Sequence, residues 1–348
     1  MNDTIIAARA KEQHDNFLGK VFTHFSKPRA RFVREATYGI QASGDTKLSS
    51  IVRAIEDNVA PIQTEKRLSR NVEDETLEQE ISDAILSEGA RHVRKDTLIL
   101  VDPTEIRKEY AYKMEYVMRV RDASRSSKEG RDVTVNGYHG CIAAACTSWS
   151  RKTIPLALKL WSSRAPGFKG ENDEVLKIIN DIFEATGGRG VVVKGFGQQP
   201  MMLLTSLPVD ASFKSQWRIV EGYLSRWRIE ETIRFVKQEY GFENIRVHSY
   251  SAIRNMASLV LACAYFATVW IGRHLKRQVL AEHLAYLNKR LNEVPQFGAY
   301  AITSGLKRAF SAFGRLARSI ARIVPSTEMV DLSQYLPGFA ELLDLDDG

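Results

Sequence analysis

The segment Thr97-Leu98-Ile99-Leu100-Val101-Asp102 decides which fold the rest of the chain can adopt. Its uninterrupted apolar run is typical of a central β-strand that is buried on both faces. Asp102 and Pro103 follow the run, so we predict that the strand ends at Asp102. An aspartate at the carboxyl end of a central strand lies where open α/β sheets usually have their binding and catalytic sites. A loop aspartate that caps the next turn is the alternative.

Further strands and a helix follow in an order that predicts one α/β domain. Asn136-Gly137 favours a hairpin turn, and the apolar segment 138–148 after it predicts a second strand. Residues 153–161 predict a third strand. Apolar residues at helical spacing predict an amphipathic helix over 173–185 that stops at two glycines. Three strands followed by a helix is the order of an RNase H-like domain.

The first ninety residues are patterned as helices, with basic residues at the predicted turns. Leu48, Ile51, Val52 and Ile55 predict one apolar helical face. The segment Lys66-Arg67-Leu68-Ser69-Arg70-Asn71 precedes a predicted acidic helix over 73–88. A small helical bundle without a special role is one interpretation of this region.

Charge is unevenly distributed along the 348 residues, whose formal net charge is +7. Residues 271–323 contain ten Lys and Arg, whereas residues 324–348 contain six acids and no Lys or Arg. A basic face followed by an acidic tail suits a protein that binds polyanions and masks its own surface. A solvated helix face is the alternative.

The cysteines and the longest apolar segment indicate the cellular compartment of the protein. Cys141, Cys146 and Cys263 lie in apolar surroundings, which predicts reduced core residues of a cytosolic protein, and no Cys/His spacing suggests zinc. The first residues lack the pattern of a secretory signal. The apolar segment 256–271 is short for a membrane span, so we predict a buried core helix and no membrane partner.

The segment 221–238 predicts a second important helix. Ile229, Ile233, Val236 and Tyr240 recur at helical spacing and predict one buried stripe.

A polar row runs beside that stripe. Tyr223, Arg226, Glu230 and Lys237 fall within about 60° of one another around the helix axis. An ordinary ion-paired face, in which Glu230 pairs with Arg226 or Arg234, is one interpretation of the row.

The order Y-x2-R-x3-E-x6-K resembles the signature of DDE transposases of the insertion-sequence-four group, which are cut-and-paste enzymes. Three further segments are similar to this family: 98–106 resembles its first-Asp motif, 112–115 lies downstream as expected, and 67–71 resembles part of its DNA-end-binding domain. The resemblance covers most of residues 60–270.

The resemblance implies an α/β fold: an RNase H-like mixed sheet flanked by helices, with an all-helical N-terminal domain and a helical C-terminal region. It implies a DNA-binding domain over 1–90, in which Arg67 and Arg70 contact DNA, and a catalytic domain over 91–270, shortened near 190–191. A basic helical region over 271–323 and an acidic tail over 324–348 follow.

The resemblance also implies roles for single residues. Asp102 and Glu230 become catalytic carboxylates that bind Mg²⁺ or Mn²⁺. Tyr223, Arg226 and Lys237 become contacts to the phosphates of transposon ends. The implied partners are double-stranded DNA, as transposon ends and target, and a second copy in a homodimer on DNA. The implied location is the cytoplasm of a bacterium, at the nucleoid.

One element of the family pattern is absent. The family places its second catalytic aspartate in an Asp-Arg-Gly motif on a fourth strand, but no carboxylate lies here between Glu184 and Asp210. Either Val193-Lys194-Gly195 replaces the motif, or the strand and most of a β-rich insertion are missing. We favour deletion, because 191–208 resembles the strand pair that precedes the Glu-bearing helix, with 201–205 as the last strand of the sheet.

The gap sets the expectations for function. Asp96, Glu105 and Asp210 are nearby acids, but their spacing does not make them substitutes. We therefore expect a transposase-family DNA-binding protein whose cleavage is impaired; a catalytically dead remnant that binds DNA ends as a repressor is the alternative. A third expectation is a chain that cannot fold, unless Val191–Val193 pairs beside Thr97–Val101.

Overall fold

The computed structural model describes residues 3–55, 59–95, 97–146, 153–188, 191–194, 204–205, 210, 212, 215, 227–287 and 298–316. The helices in this part are α1 (Asp3–Val21), α2 (Lys27–Ser43), α3 (Leu48–Ile55), α4 (Pro61–Asn71), α5 (Leu77–Ala90), α6 (Ala123–Glu129), α7 (Glu171–Thr186), α8 (Trp227–Glu239), α9 (Tyr250–Tyr265), α10 (Arg273–Leu287) and α11 (Gly298–Leu316). The strands are β1 (Leu98–Arg107), β2 (Met118–Arg121), β3 (Thr134–Cys146), β4 (Thr153–Trp161), β5 (Val191–Lys194) and β6 (Leu204–Thr205). A 3-10 turn (Phe242–Asn244) follows α8, and a π-helical segment (Phe266–Trp270) extends α9.

The strands form one mixed sheet, so the chain has the predicted α/β character. β3 pairs antiparallel with β1 on one side and with β2 and β4 on the other. β1 pairs parallel with β5, and β5 pairs antiparallel with β6 at the edge. The strand predicted over 153–161 is present with those bounds, and the helix predicted over 173–185 is α7, which ends at left-handed Gly187.

The position beside β1 is occupied by β5. Val191 pairs with Leu98 and Val193 pairs with Leu100. This is the pairing under which we expect β1 to have a neighbouring strand and the chain to fold. A parallel pair needs a long crossover connection, and α7 supplies the helix of that connection. The expectation of a last strand over 201–205 is met at residues 204–205, whereas residues 201–203 lie outside the described part.

The prediction that the first strand ends at Asp102 is wrong. β1 continues to Arg107 because β3 is long enough to pair with all of it, from Leu98 opposite Cys146 to Arg107 opposite Gly137. Pro103 does not stop the strand. β5 pairs only with Leu98–Leu100, so the other edge of β1 has no described partner at Pro103, and a proline is tolerated at such an edge.

The predicted hairpin turn at Asn136-Gly137 is also wrong, since both residues lie inside β3. Gly137 pairs with Arg107 of β1 and with Met118 of β2, so it lies where three strands meet. A Cβ atom there would overlap the carbonyl oxygen of Ile106 and would lie 2.6 Å from Cγ2 of Val120. The glycine therefore permits close approach of the strands.

The helices of the first ninety residues share a core with the C-terminal helices. Tyr38 of α2 donates its hydroxyl to the carbonyl of Phe310 at 3.0 Å, and Gln41 donates to the carbonyl of Cys263 at 2.9 Å. Asn255 of α9 donates to the carbonyl of Val72 at 2.7 Å. The predicted domain boundaries at 90 and 270 remain predictions, but these segments pack against one another.

Two expectations about the core are confirmed. Cys141, Cys146 and Cys263 are buried free thiols. The segment Tyr250–Trp270 is long and apolar enough to cross a membrane, but 83% of its most apolar window is buried inside the protein. It is the core helix that the sequence predicts, and it begins earlier, at Tyr250.

We predict that Gly137→Ala destabilises the protein by about 1–3 kcal/mol, because the added methyl overpacks the junction of β1, β2 and β3. Gly19→Ala is the matched control, since nothing lies within 4 Å of the position that an added Cβ would take on Gly19 in α1. Alanine there should be neutral or stabilising by about 1 kcal/mol. Urea unfolding of both variants tests this, and equal stability of the two variants would contradict it.

Candidate active site

Asp102 lies in the middle of β1, partly exposed, just beyond the residues that pair with β5. Its partner on β3 is Ile142, which is four residues from Cys146. Residues at even spacing on a strand share a face, so Asp102 and Cys146 lie on the same face of the sheet.

Helix α8 covers that face through the predicted stripe. Ile229, Val236 and Tyr240 are buried, and Ile233 is partly buried against the same core. The prediction of the stripe is confirmed. Tyr223 and Arg226, the first two members of the polar row, lie outside the described residues.

Two contacts set the direction of α8. In its first turn, Arg228 lies against Cys146; burial raises the pKa of that thiol, and the guanidinium opposes the shift. In its last turn, Lys237 donates to the carbonyl of Glu105 at 2.7 Å. Since Cys146 pairs with Leu98, the helix runs along β1 in the same direction as the strand.

Counted back from the Lys237 contact alone, this direction places Glu230 near the level of Asp102 along β1. Seven residues separate Glu230 from Lys237, which is about 10 Å along a helix and about two full turns, so both lie on one side of α8. Three residues separate Asp102 from Glu105, which is also about 10 Å along a strand. Glu230 is exposed at this position.

Lys237 is held by the protein itself. Its Nζ also lies 3.7 Å from the carboxylate of Glu243, and its side chain is 25% exposed. Burial lowers the pKa of Lys237, while the nearby Glu243 and Glu105 oppose the shift. The lysine therefore ties α8 to β1, and its predicted contact to DNA stays a prediction.

Nearby acids do not complete a triad in the described residues. Glu105 is three residues from Asp102 on β1, so it lies on the opposite face. Asp210 is exposed, and hydrogen bonds from Ser212 hold the pKa of its carboxyl below the usual value. Asp96 lies outside the described part. Within that part, no group of three or more His, Cys, Asp or Glu is arranged to hold a metal ion.

Strand β5 carries valines and a lysine beside β1. Val193 pairs with Leu100, so Lys194 follows at the level of Val101, next to Asp102. The residues that are described therefore do not fit a full two-metal centre, which needs several carboxylates to offset the repulsion between the cations.

The two arginines predicted to bind DNA differ in environment. Arg67 of α4 forms an ion pair with Glu35 of α2 and is partly buried. Arg70, in the last turn of α4, is exposed. Their predicted roles stay predictions.

An ionic cluster that the sequence did not reveal adjoins the site. Glu243, in the 3-10 turn after α8, pairs with Arg107 of β1 at 3.1 Å. Its carbonyl accepts a hydrogen bond from buried Lys108 at 2.6 Å. Arg107 also lies 3.3 Å from Asp122, the N-cap of α6. No local pattern predicts these partners, since they come from segments far apart in the chain.

The family model of the transposase DDE domain matches residues 61–267. The match covers more than half of the chain and includes β1 with Asp102 and α8 with Glu230. The chain belongs to the family of transposases with a DDE domain. A search of curated proteins gave no match to the chain.

We predict that Lys237→Met lowers the free energy of unfolding by about 1–3 kcal/mol, because it removes a charged hydrogen bond between α8 and β1. Arg234→Met is the control on the same helix, since exposed Arg234 pairs locally, with Glu231, and its loss should cost less than about 1 kcal/mol. Chemical denaturation measures both. A loss in Arg234→Met as large as in Lys237→Met would contradict the role of Lys237.

Proposed function

We propose that this protein is a DNA-binding transposase-family protein of the insertion-sequence-four group with an RNase H-like sheet, and that its DNA cleavage is impaired. One observation carries the proposal: the strand paired beside β1, next to Asp102, carries Val191-Val192-Val193-Lys194 and no carboxylate. The strand order and the parallel pairing of β5 with β1 support the RNase H-like assignment.

The proposed chemistry is cut-and-paste transposition, in which DNA phosphodiester bonds are cleaved and the strand is transferred to a target. Enzymes with this domain use divalent metal ions, and Mg²⁺ or Mn²⁺ is the proposed cofactor. Asp102 and Glu230 are the proposed ligands. Two carboxylates fall short of the ligand set that two closely spaced cations need, so cleavage should be slower by several orders of magnitude.

Deletion of the second-Asp strand remains the favoured origin of the gap. β5 and β6 pair antiparallel, which supports their resemblance to the strand pair before the Glu-bearing helix. Replacement of Asp-Arg-Gly by Val193-Lys194-Gly195 also leaves β5 beside β1, and it predicts the same loss of activity.

Cleavage is tested by incubating the protein with supercoiled plasmid and with duplexes that carry the ends of its element, in Mg²⁺ or Mn²⁺. We expect little or no nicking, and any residual nicking should disappear in Glu230→Gln but persist in the neighbouring control Glu231→Gln. Robust turnover that Glu230→Gln abolishes would show that the site is intact and overturn the proposed impairment.

The second candidate is a catalytically dead remnant that binds DNA ends as a repressor. Binding is spread over many cations, so it survives the loss of one carboxylate. The exposed Arg70 on α4 and the net charge of +7 support this candidate. A homodimer on double-stranded DNA and a location at the bacterial nucleoid are part of the same proposal.

DNA binding is tested by fluorescence anisotropy with a labelled 30-bp duplex at several salt concentrations. Affinity should fall steeply with salt, and Arg70→Ala should weaken it and reduce the salt slope by about 1. The control is Arg131→Ala, because this arginine is 78% exposed and pairs with Glu129 after α6. Undetectable binding at low salt would eliminate both candidate functions.

A further inference from the structure

A broad cleft of about 1070 Å³ opens between the loop that joins β1 to β2 and the segment that follows α8. Residues 108–114 of this loop form one wall, and residues 243–248 form another. Arg107, at the edge of the cleft, is five residues from Asp102, which is about 17 Å along β1. The cleft is therefore separate from the carboxylates but within reach of a DNA strand that passes them.

Two tyrosines of this loop are unusually exposed. Tyr110 is 83% exposed and Tyr112 is 78% exposed, more than any other large hydrophobic side chain in the described part of the chain. The next is Phe183, at 61%. Exposed aromatic side chains that line a cleft mark a contact surface rather than a core.

The loop that carries the tyrosines is held in place at several points. Asn136 donates to the carbonyl of Ala111 at 3.2 Å, and the amide of Glu115 donates to the carbonyl of His248 at 2.9 Å. Buried Lys108 donates to the carbonyls of Glu243 and Ile245 at 2.6 and 2.9 Å. A ligand of this loop does not have to order it first, which favours binding.

The charges of the cleft favour an anion. Its three acids are paired within the protein: Glu109 with Arg125 at 2.8 Å, Asp122 with Arg107 at 3.3 Å, and Glu243 with both Arg107 at 3.1 Å and Lys237 at 3.7 Å. Burial lowers the pKa of Lys108 to about 7, so that residue adds little surface charge. The remaining cations of the lining are exposed, and they are Lys113, Lys128 and Arg246.

We propose that this cleft binds unpaired deoxynucleotides, with bases stacked on Tyr110 and Tyr112 and phosphates beside Lys113 and Arg246. Aromatic rings combined with a basic groove are the elements by which proteins bind single strands, and stacking requires a base whose face is not covered in a duplex. The proposal rests on the proposed function only in taking DNA as the partner. It adds a single-strand site that double-stranded binding does not require.

The test compares binding of a labelled dT 20-mer and of a 20-bp duplex by fluorescence anisotropy. Tyr110→Ala with Tyr112→Ala should weaken binding of the dT 20-mer about 10- to 100-fold, given the contribution of stacking, and change duplex binding less than about twofold. The Phe double variant keeps both rings and should bind like the wild type. Phe183→Ala removes an exposed ring on α7, away from the cleft, and should change neither affinity.

Charge is tested separately with Lys113→Glu and Arg246→Glu, which should also weaken binding of the dT 20-mer about tenfold or more. Unchanged dT affinity in the Tyr-to-Ala variant overturns the proposal, even if duplex binding is normal. A poly-Glu 20-mer that competes as well as unlabelled dT 20-mer also overturns it, since the cleft would then select charge alone. Binding of the dT 20-mer without binding of duplex would count against the proposed function and leave the cleft proposal standing.

Discussion

The parallel pairing of β5 with β1 is the contact on which the remaining structure depends. Leu98, Ile99 and Leu100 are at most 8% exposed, so their backbone N–H and C=O groups cannot form hydrogen bonds with water. Buried backbone groups need partners, and the free edge of β1 would be costly without a neighbouring strand. Backbone pairing makes no demand on side chains, whereas a metal centre demands carboxylates. A strand of valines therefore completes the sheet without supplying a carboxylate.

Helix α8 links the sheet to the 3-10 turn and the cleft that adjoin the site. Its apolar stripe seals one face of the sheet, Arg228 lies against Cys146, and Lys237 bonds to the backbone of β1. The same lysine lies near Glu243, which in turn pairs with Arg107 at the edge of the cleft. The placement of α8 over β1 and the shape of the cleft thus depend on one set of contacts between α8, its following turn and β1.

The sequence predicts those parts of the fold that local periodicity encodes. Apolar runs and a glycine stop predict β4 and α7. Helical spacing predicts the stripe of α8, and apolar surroundings predict the buried thiols. The length of β1 could not be predicted, because it depends on how far β3 extends beside it. In the sequence, Gly137 indicates a turn. Only the structure shows that two neighbouring strands pack closely against it. Likewise Asp102 and Glu230 could be nominated from motifs, but the exposure of Tyr110 and the pairing of Arg67 with Glu35 are tertiary facts.

Catalysis and binding respond differently to the loss of one acidic residue. A two-metal centre acts as a unit, so one missing carboxylate removes most of its rate. Affinity for a polyanion sums over many cations, so it tolerates the loss of any single group. In the described part of the site, β5 brings no carboxylate beside Asp102. Under the proposed function, the strand that supplies no metal ligand therefore leaves phosphate binding intact, because that binding does not depend on any single acidic residue.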